Sequence, residues 1–269
     1  MSILYDYHLH SDFSGDSDTP GERMIEKALE LGLQGICFTE HLDLDAPTVD
    51  GTDFSLDTAA YFQKMQVLKE QYRGKLDICI GVELGIQSHV LDELTDYAAK
   101  WPFDFIIASQ HYVNGSDPYY PVYFEGREER RCYEEFFEVQ LDNIRHFSSW
   151  QTLGHMDYVV RYGPTKNTQY SYEAYADHID PILKHVIGNG KCLEVNTGGF
   201  KYGLGQPNPD TSVLRRYREL GGELITLGSD AHEPAHLSYD FDRAAALLRE
   251  LGFRYYAVFR ERKPVMLPL

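Results

Sequence analysis

Tyr5-Asp6-Tyr7-His8-Leu9-His10 is a short strand-like run that stops on two histidines, and six later stretches repeat the pattern. They are Ile36-Cys37-Phe38-Thr39-Glu40-His41, Ile78-Cys79-Ile80-Gly81-Val82-Glu83, Phe105-Ile106-Ile107-Ala108-Ser109-Gln110-His111, Thr152-Leu153-Gly154-His155, Cys192-Leu193-Glu194-Val195-Asn196 and Leu224-Ile225-Thr226-Leu227-Gly228-Ser229-Asp230-Ala231-His232. One such stop is ordinarily a solvated strand end. Seven in succession imply parallel strands whose C-terminal ends gather at one mouth, and crowded imidazoles and carboxylates are rewarded there only by multivalent cations.

Helical periodicity fills the intervals. The first helix reads with Thr19 as N-cap, Pro20 at its first position, Glu22 closing a capping box and Gly32 as its stop. Others are expected over residues 57–73, 90–100, 128–147, 172–188, 211–220 and 239–251. Strict alternation predicts a parallel sheet. An open doubly wound sheet uses one switch-point crevice, whereas here every strand ends in a ligand type. The expected fold is therefore α/β, a distorted (β/α)7 TIM-like barrel, with residues 254–260 as a short extra strand or bottom closure. The whole of 1–269 reads as one domain.

Composition limits the function classes. The chain has 25 Lys plus Arg against 42 Asp plus Glu, a formal charge of −17, so a broad nucleic-acid contact is not expected. A small anionic substrate stays compatible if bound cations reverse the field locally. No apolar run is long enough for a membrane span and no signal sequence is read, so the expected location is cytoplasmic. Cys37, Cys79, Cys132 and Cys192 are widely spaced and read as core residues rather than a thiolate metal site. Two connections, residues 42–56 and 112–127, are rich in loop and aromatic residues and should overhang the mouth. Within the first, Asp43, Asp45, Asp50 and Gly51 only partly match a calcium loop, with no closing Glu.

His8 and His10, one residue apart on a strand, point to one face and can grip one ion. Asp16, Glu83, His111, His155, Asp230 and His232 complete an imidazole and carboxylate set without thiolate, which suits Zn, Mn or Fe. There are too many ligands for one ion, and a carboxylate such as Glu83 can bridge two, an arrangement that serves phosphate-ester hydrolysis.

The set HLH, Asp16, TEH, GVE, SQHY, GHMD, EVN and GSDAH resembles the PHP superfamily of metal-dependent phosphoesterases across about residues 5–235. GHMD, EVNTGG and GSDAH look most like its histidinol phosphate phosphatases, which convert L-histidinol phosphate to L-histidinol and phosphate in histidine biosynthesis. The resemblance implies a trinuclear centre. One divalent ion would take His8, His10, Glu83 and Asp230; a second would share Glu83 and add His111 and His155; the third would take Asp16, His41 and His232. After EVNT this chain carries Phe200-Lys201 where many relatives have a Leu-Arg pair.

Arg161 and Lys201 follow strand ends and are the candidate phosphate contacts, with plain surface charge as the alternative for each. Asn196 and Tyr112 complete the substrate-facing set, Glu194 backs the ligands, and Asp157 orients a ligand or the substrate. Metal-bound water, His232 and Asp230 are the candidate proton donors to the leaving alcohol. Tyr119, Tyr120, Tyr123 and Phe124 either stack an imidazole ring or pack their loop. His89, His146, His178, His185 and His236 read as ordinary helix or surface residues. The expected partner is a small-molecule phosphomonoester, with no nucleic acid and no membrane, and the sequence is silent on oligomeric state. Competing readings are a PHP phosphoesterase acting on a nucleotide or oligonucleotide end, and a non-catalytic PHP module. An amidohydrolase barrel also opens with H-x-H, but it needs a modified Lys after strand four, where this chain has Ser109-Gln110-His111.

Overall fold

The computed structural model describes residues 3–48 and 51–269. Seven strands stand side by side in chain order: β1 (Tyr5–Leu9), β2 (Gly35–Leu42), β3 (Asp77–Gly85), β4 (Phe105–Ser109), β5 (Thr152–Leu153), β6 (Cys192–Asn196) and β7 (Ile225–Gly228). Every neighbouring pair is parallel. β2 is buried along its whole length, because one face fills the barrel while the other meets helices.

The ring is brought round by backbone contacts at the ligand-bearing ends. Leu9 bridges Ala231, Asp230 N donates to His8 O at 2.8 Å, and His10 N donates to Ala231 O at 2.9 Å. Gly228 permits this approach, since a Cβ there would overlap His8 Cβ and crowd Glu194. The buried Asp6 carboxylate adds a second tie, accepting from Ser229 N at 3.0 Å, Ser229 Oγ at 2.5 Å and Ser238 N at 2.9 Å. The result is a nearly closed (β/α)7 barrel, distorted where β5 is only two residues long.

The helices are α1 (Gly21–Glu30), α2 (Thr58–Gln71), α3 (Leu91–Lys100), α4 (Glu129–His146), α5 (Ala176–Gly188), α6 (Gly198–Lys201), α7 (Thr211–Glu219) and α8 (Phe241–Glu250). Asp57 and Asp210 cap α2 and α7 by accepting from Ala60 N and Ser212 N. The capping box expected at α1 does not form: Pro20 occupies the cap, Glu22 pairs with Lys64, and Thr19 Oγ1 donates to His232 O at 2.9 Å. Thr19 looked like a cap because it precedes Pro in a helical pattern, but a tertiary carbonyl competes successfully for its hydroxyl.

Residues 254–260 turn out to be half of a hairpin, β8 (Tyr255–Arg260) with β9 (Lys263–Pro268). It caps the bottom of the barrel. Tyr7 Oη donates to Phe259 O at 2.8 Å, Phe259 stacks on Phe105 at 5.1 Å, and Glu261 N donates to Asp104 Oδ1 at 3.0 Å. All four cysteines are buried and unpaired. Among the described residues no helix is long and apolar enough to cross a membrane.

Candidate metal centre and substrate cleft

Parallel strands deliver their last residues to one end, so side chains remote in sequence become neighbours there. The pairing of β1 with β2 shifts register between Asp6 and Leu9, the stretch that carries His8. Glu83, at 0% exposure, sits at the middle. Its Oε2 lies 3.0 Å from His8 Nε2 and 3.5 Å from His10 Nε2, while its Oε1 lies 2.9 Å from His155 Nε2 and 3.3 Å from His111 Nε2. Asp230 Oδ1 closes the first group at 3.7 Å from His8 Nε2 and 3.6 Å from His10 Nε2. Asp16 Oδ2 lies 3.1 Å from His232 Nε2 and 3.6 Å from His41 Nε2. The structure thus brings all nine candidate ligands together.

The donor set fits divalent cations. His10 Nε2, His41 Nδ1 and His232 Nε2 are buried nitrogens without hydrogen-bond partners among the described residues, and ligand atoms of these three histidines lie within 4.8 Å of one another. Desolvated nitrogens of this kind are costly unless something accepts their lone pairs. Burial, with His232 and His41 alongside, holds His10 well below the usual histidine value. Burial also opposes charge on His8, yet the carboxylates of Glu83, Glu194 and Asp230 together raise it well above that value. For Glu83 burial is again outweighed, here by His8, His41 and His111, which hold it well below the carboxylate range. Ionised carboxylates beside an imidazole held neutral, as at His10, offer negative charge and free lone pairs together, which is what a divalent cation requires.

A ring of orienting groups surrounds the nine. Glu194 Oε1 accepts from His8 Nδ1 at 2.5 Å and Glu194 Oε2 accepts from His155 N at 2.7 Å. Ser109 Oγ donates to Glu83 Oε1 at 2.6 Å, and Asp43 Oδ1 accepts from His111 Nδ1 at 2.9 Å. Ser14 Oγ donates to Glu40 Oε2 at 2.6 Å and lies 3.1 Å from His10 Nδ1. With its proton committed to Glu40, Ser14 accepts from His10 Nδ1–H, which leaves Nε2 with its lone pair toward the cluster.

Above the cluster opens a cleft of about 660 Å³, lined among others by Arg161, Lys201, Tyr112, Asp117, Tyr158 and His236. Arg161 is no surface charge: it is 3% exposed and donates from Nε to Asn208 Oδ1 at 2.7 Å, from Nη1 to Asp230 Oδ2 at 2.9 Å and from Nη2 to Asn196 Oδ1 at 2.9 Å. Asp157 acts one step back, accepting from Asn208 Nδ2 at 2.6 Å. Lys201 Nζ lies 3.4 Å from Asp230 O, and burial lowers its pKa. Asn196 is fully buried and serves Arg161 rather than the open cleft. Both long connections overhang the mouth, through Asp43, Thr52 and Phe54 of one and Tyr112, Asp117, Tyr119 and Tyr120 of the other. Asp50, of the partial calcium pattern, lies outside the described residues.

Tyr119 and Tyr120 face the cleft, whereas Tyr123 and Phe124 are buried, Tyr123 Oη donating to Cys132 O at 3.0 Å. His236 is not the ordinary surface residue expected; it joins the cleft wall because the turn after β7 folds back over the mouth. Ser14, Glu40, Asp43, Asn208 and Asp117 were not singled out in sequence as site residues. Of these, Glu40 carried a signal, standing beside His41 at a strand end, and Asp43 belonged to the partial calcium-loop pattern.

A family model described as PHP domain matches residues 6–198. The histidinol-phosphatase of Lactococcus lactis subsp. lactis is 33% identical over 262 residues, covering 96% of this chain and 95% of that protein. A probable histidinol-phosphatase of Clostridium acetobutylicum is 30% identical and covers 97% and 98%. The fold superposes on the Lactococcus lactis histidinol phosphate phosphatase crystallised with zinc, L-histidinol and phosphate, at a TM-score of 0.89, 31% identity, and 97% and 98% coverage. On these grounds the chain belongs to the PHP domain family.

Proposed function

We propose that this chain is a metal-dependent phosphomonoesterase that hydrolyses L-histidinol phosphate to L-histidinol and phosphate, acting in the cytoplasm in histidine biosynthesis. The observation that carries the reading is the position of Glu83, whose Oε2 faces His8, His10 and His41 and whose Oε1 faces His111 and His155, directly beneath the cleft that holds Arg161. The relative that matches almost the whole chain was crystallised with zinc, L-histidinol and phosphate.

In this reading three divalent ions, Zn, Mn or Fe, are held by His8, His10, Glu83 and Asp230, by Glu83, His111 and His155, and by Asp16, His41 and His232. When bound, they neutralise phosphoryl oxygens and lower the pKa of water for attack on phosphorus. The protein's own groups position the ester. Arg161, fixed by three acceptors, presents its remaining N–H groups to the phosphate without reorganising. Lys201 adds a second positive charge at the same end, and Tyr112 walls the approach. Asp230 and His232 stand at the leaving-group end; because Asp230 Oδ1 and His232 Nε2 are counted among the ligands, the two residues would act by orienting the water that protonates the leaving alcohol.

Phosphate release from L-histidinol phosphate, nucleotides and sugar phosphates, each with Mn, Zn or Fe, tests the proposal. Selective turnover of histidinol phosphate is expected. Selective turnover of a nucleotide, or none that chelators abolish, overturns it.

A further inference from the structure

The cleft has two chemically opposite ends. Arg161 and Lys201 stand at the end nearest Asp230, whereas the wall contributed by the loop after β4 carries Asp117. Tyr158 spans the two. Arg161 lies 5.7 Å from its ring, and its hydroxyl donates to Asp117 Oδ1 at 3.2 Å. Asp117 Oδ1 also accepts from Tyr119 N at 2.8 Å, and Asp117 has no ion pair with Lys, Arg or His among the described residues. Its Oδ2 makes no hydrogen bond there either. Asp117 is partly exposed in the cleft wall, so its carboxylate, which has no counter-charge of its own among the described residues, is available to a cationic group of a ligand. Burial pushes its pKa up to about 6, in keeping with that missing partner. Beside it the rings of Tyr158, Tyr162 and Tyr119 meet edge to face, Tyr158 to Tyr162 at 5.0 Å and Tyr119 to Tyr162 at 5.3 Å.

We infer that Asp117 is a specificity-determining residue that pairs with the ammonium group of an amino-alcohol phosphate, while the Tyr158, Tyr162 and Tyr119 rings face its planar side group. The inference rests on the proposed function and names how that substrate is distinguished from other phosphomonoesters. A protonated primary amine is charged at neutral pH and donates three hydrogen bonds, so an acceptor-only carboxylate is its natural partner. A neutral imidazole has the flat faces that tyrosine edges favour. Phosphate at the Arg161 end and ammonium at the Asp117 end fix the ester's direction in the cleft.

Asp117→Asn keeps the oxygen that accepts from Tyr119 N and Tyr158 Oη but removes the charge. It is compared with the parent, each metal-loaded, on L-histidinol phosphate, on 3-(imidazol-4-yl)propyl phosphate, which lacks the amine, and on phenyl phosphate. The expected result is a roughly 10- to 100-fold lower kcat/KM on histidinol phosphate, carried mainly by KM, with the other two substrates within about twofold. Equal losses on both imidazole substrates, or no loss on either, overturn the inference alone. A parent enzyme that cleaves phenyl phosphate but not histidinol phosphate overturns the proposed function and this inference with it.

Discussion

Arg161 Nη1 donates to Asp230 Oδ2 at 2.9 Å while Asp230 Oδ1 faces His8 and His10, so one carboxylate joins the cationic wall of the cleft to the ligand cluster. The two residues are 69 apart in sequence. The expected consequence is that phosphate binding and cation binding share a hinge, and that disturbing Arg161 is felt at the reacting end before it is felt in the fold. Arg161→Gln should lower kcat/KM about 100-fold, with metal content unchanged by elemental analysis. Arg161→Lys should recover little, because one ammonium cannot reach Asn208, Asp230 and Asn196 together.

His8→Ala and Glu83→Ala are expected to lose bound metal and turnover in parallel. Glu83 is the stricter case, since both of its oxygens face histidines. Metal per chain after gel filtration, read beside phosphate release, checks this; a variant with full activity at a fraction of the metal would contradict it.

Ser14→Ala tests the orienting ring. Without Ser14 Oγ nothing selects the His10 tautomer that turns Nε2 toward Glu83, and metal affinity should fall about 10-fold or more. Titration with a competing chelator reads the affinity directly, and an unaltered circular dichroism spectrum shows that the barrel is intact.

Gly228→Ala should destabilise by about 1–3 kcal/mol and depress metal binding together, because the added methyl meets His8 Cβ and Glu194 where β7 approaches β1. Thermal melting with and without metal measures both. A variant as stable as the parent with normal affinity would show that the closure has more slack than the packing implies.

The pH dependence follows from Asp117. Its pKa is raised to about 6 by burial, with Asp43 adding to the rise and His111, Tyr119 N and Tyr158 opposing it. Below that value it is protonated and no longer pairs with a cation. The ratio of kcat/KM for histidinol phosphate to that for phenyl phosphate should therefore fall as pH drops from 8 to 5. In Asp117→Asn the ratio should be low and flatter across the same range.

Much of the architecture was legible in advance because its signals are local. Alternating apolar runs and helical periods place β1 to β7 and most helices within a few residues, and a ligand type at each run's end predicts convergence once the strands are parallel. Thr19 shows where this fails: its capping pattern is sound, yet its hydroxyl serves His232 O from another turn of the chain. Asp117, Asn208 and His236 sit on loops, where no period operates and a side chain's direction depends on what the loop packs against. The short α6 and the β8–β9 hairpin were missed or half-read for a related reason, being brief segments held by contacts to distant strands.

By itself the chain's order of residues determined the barrel class, the inventory of imidazoles and carboxylates, and the end of the barrel at which they meet, since periodicity and residue type are properties of short stretches. Only the tertiary structure decided which Glu83 oxygen faces which histidines, that Glu194 backs His8 across 186 residues, and that Arg161 is buried against Asp230 rather than solvated. Those pairings are chosen by geometry among many possible partners. The free energy of a buried hydrogen bond depends on the position of both groups, which no local pattern encodes.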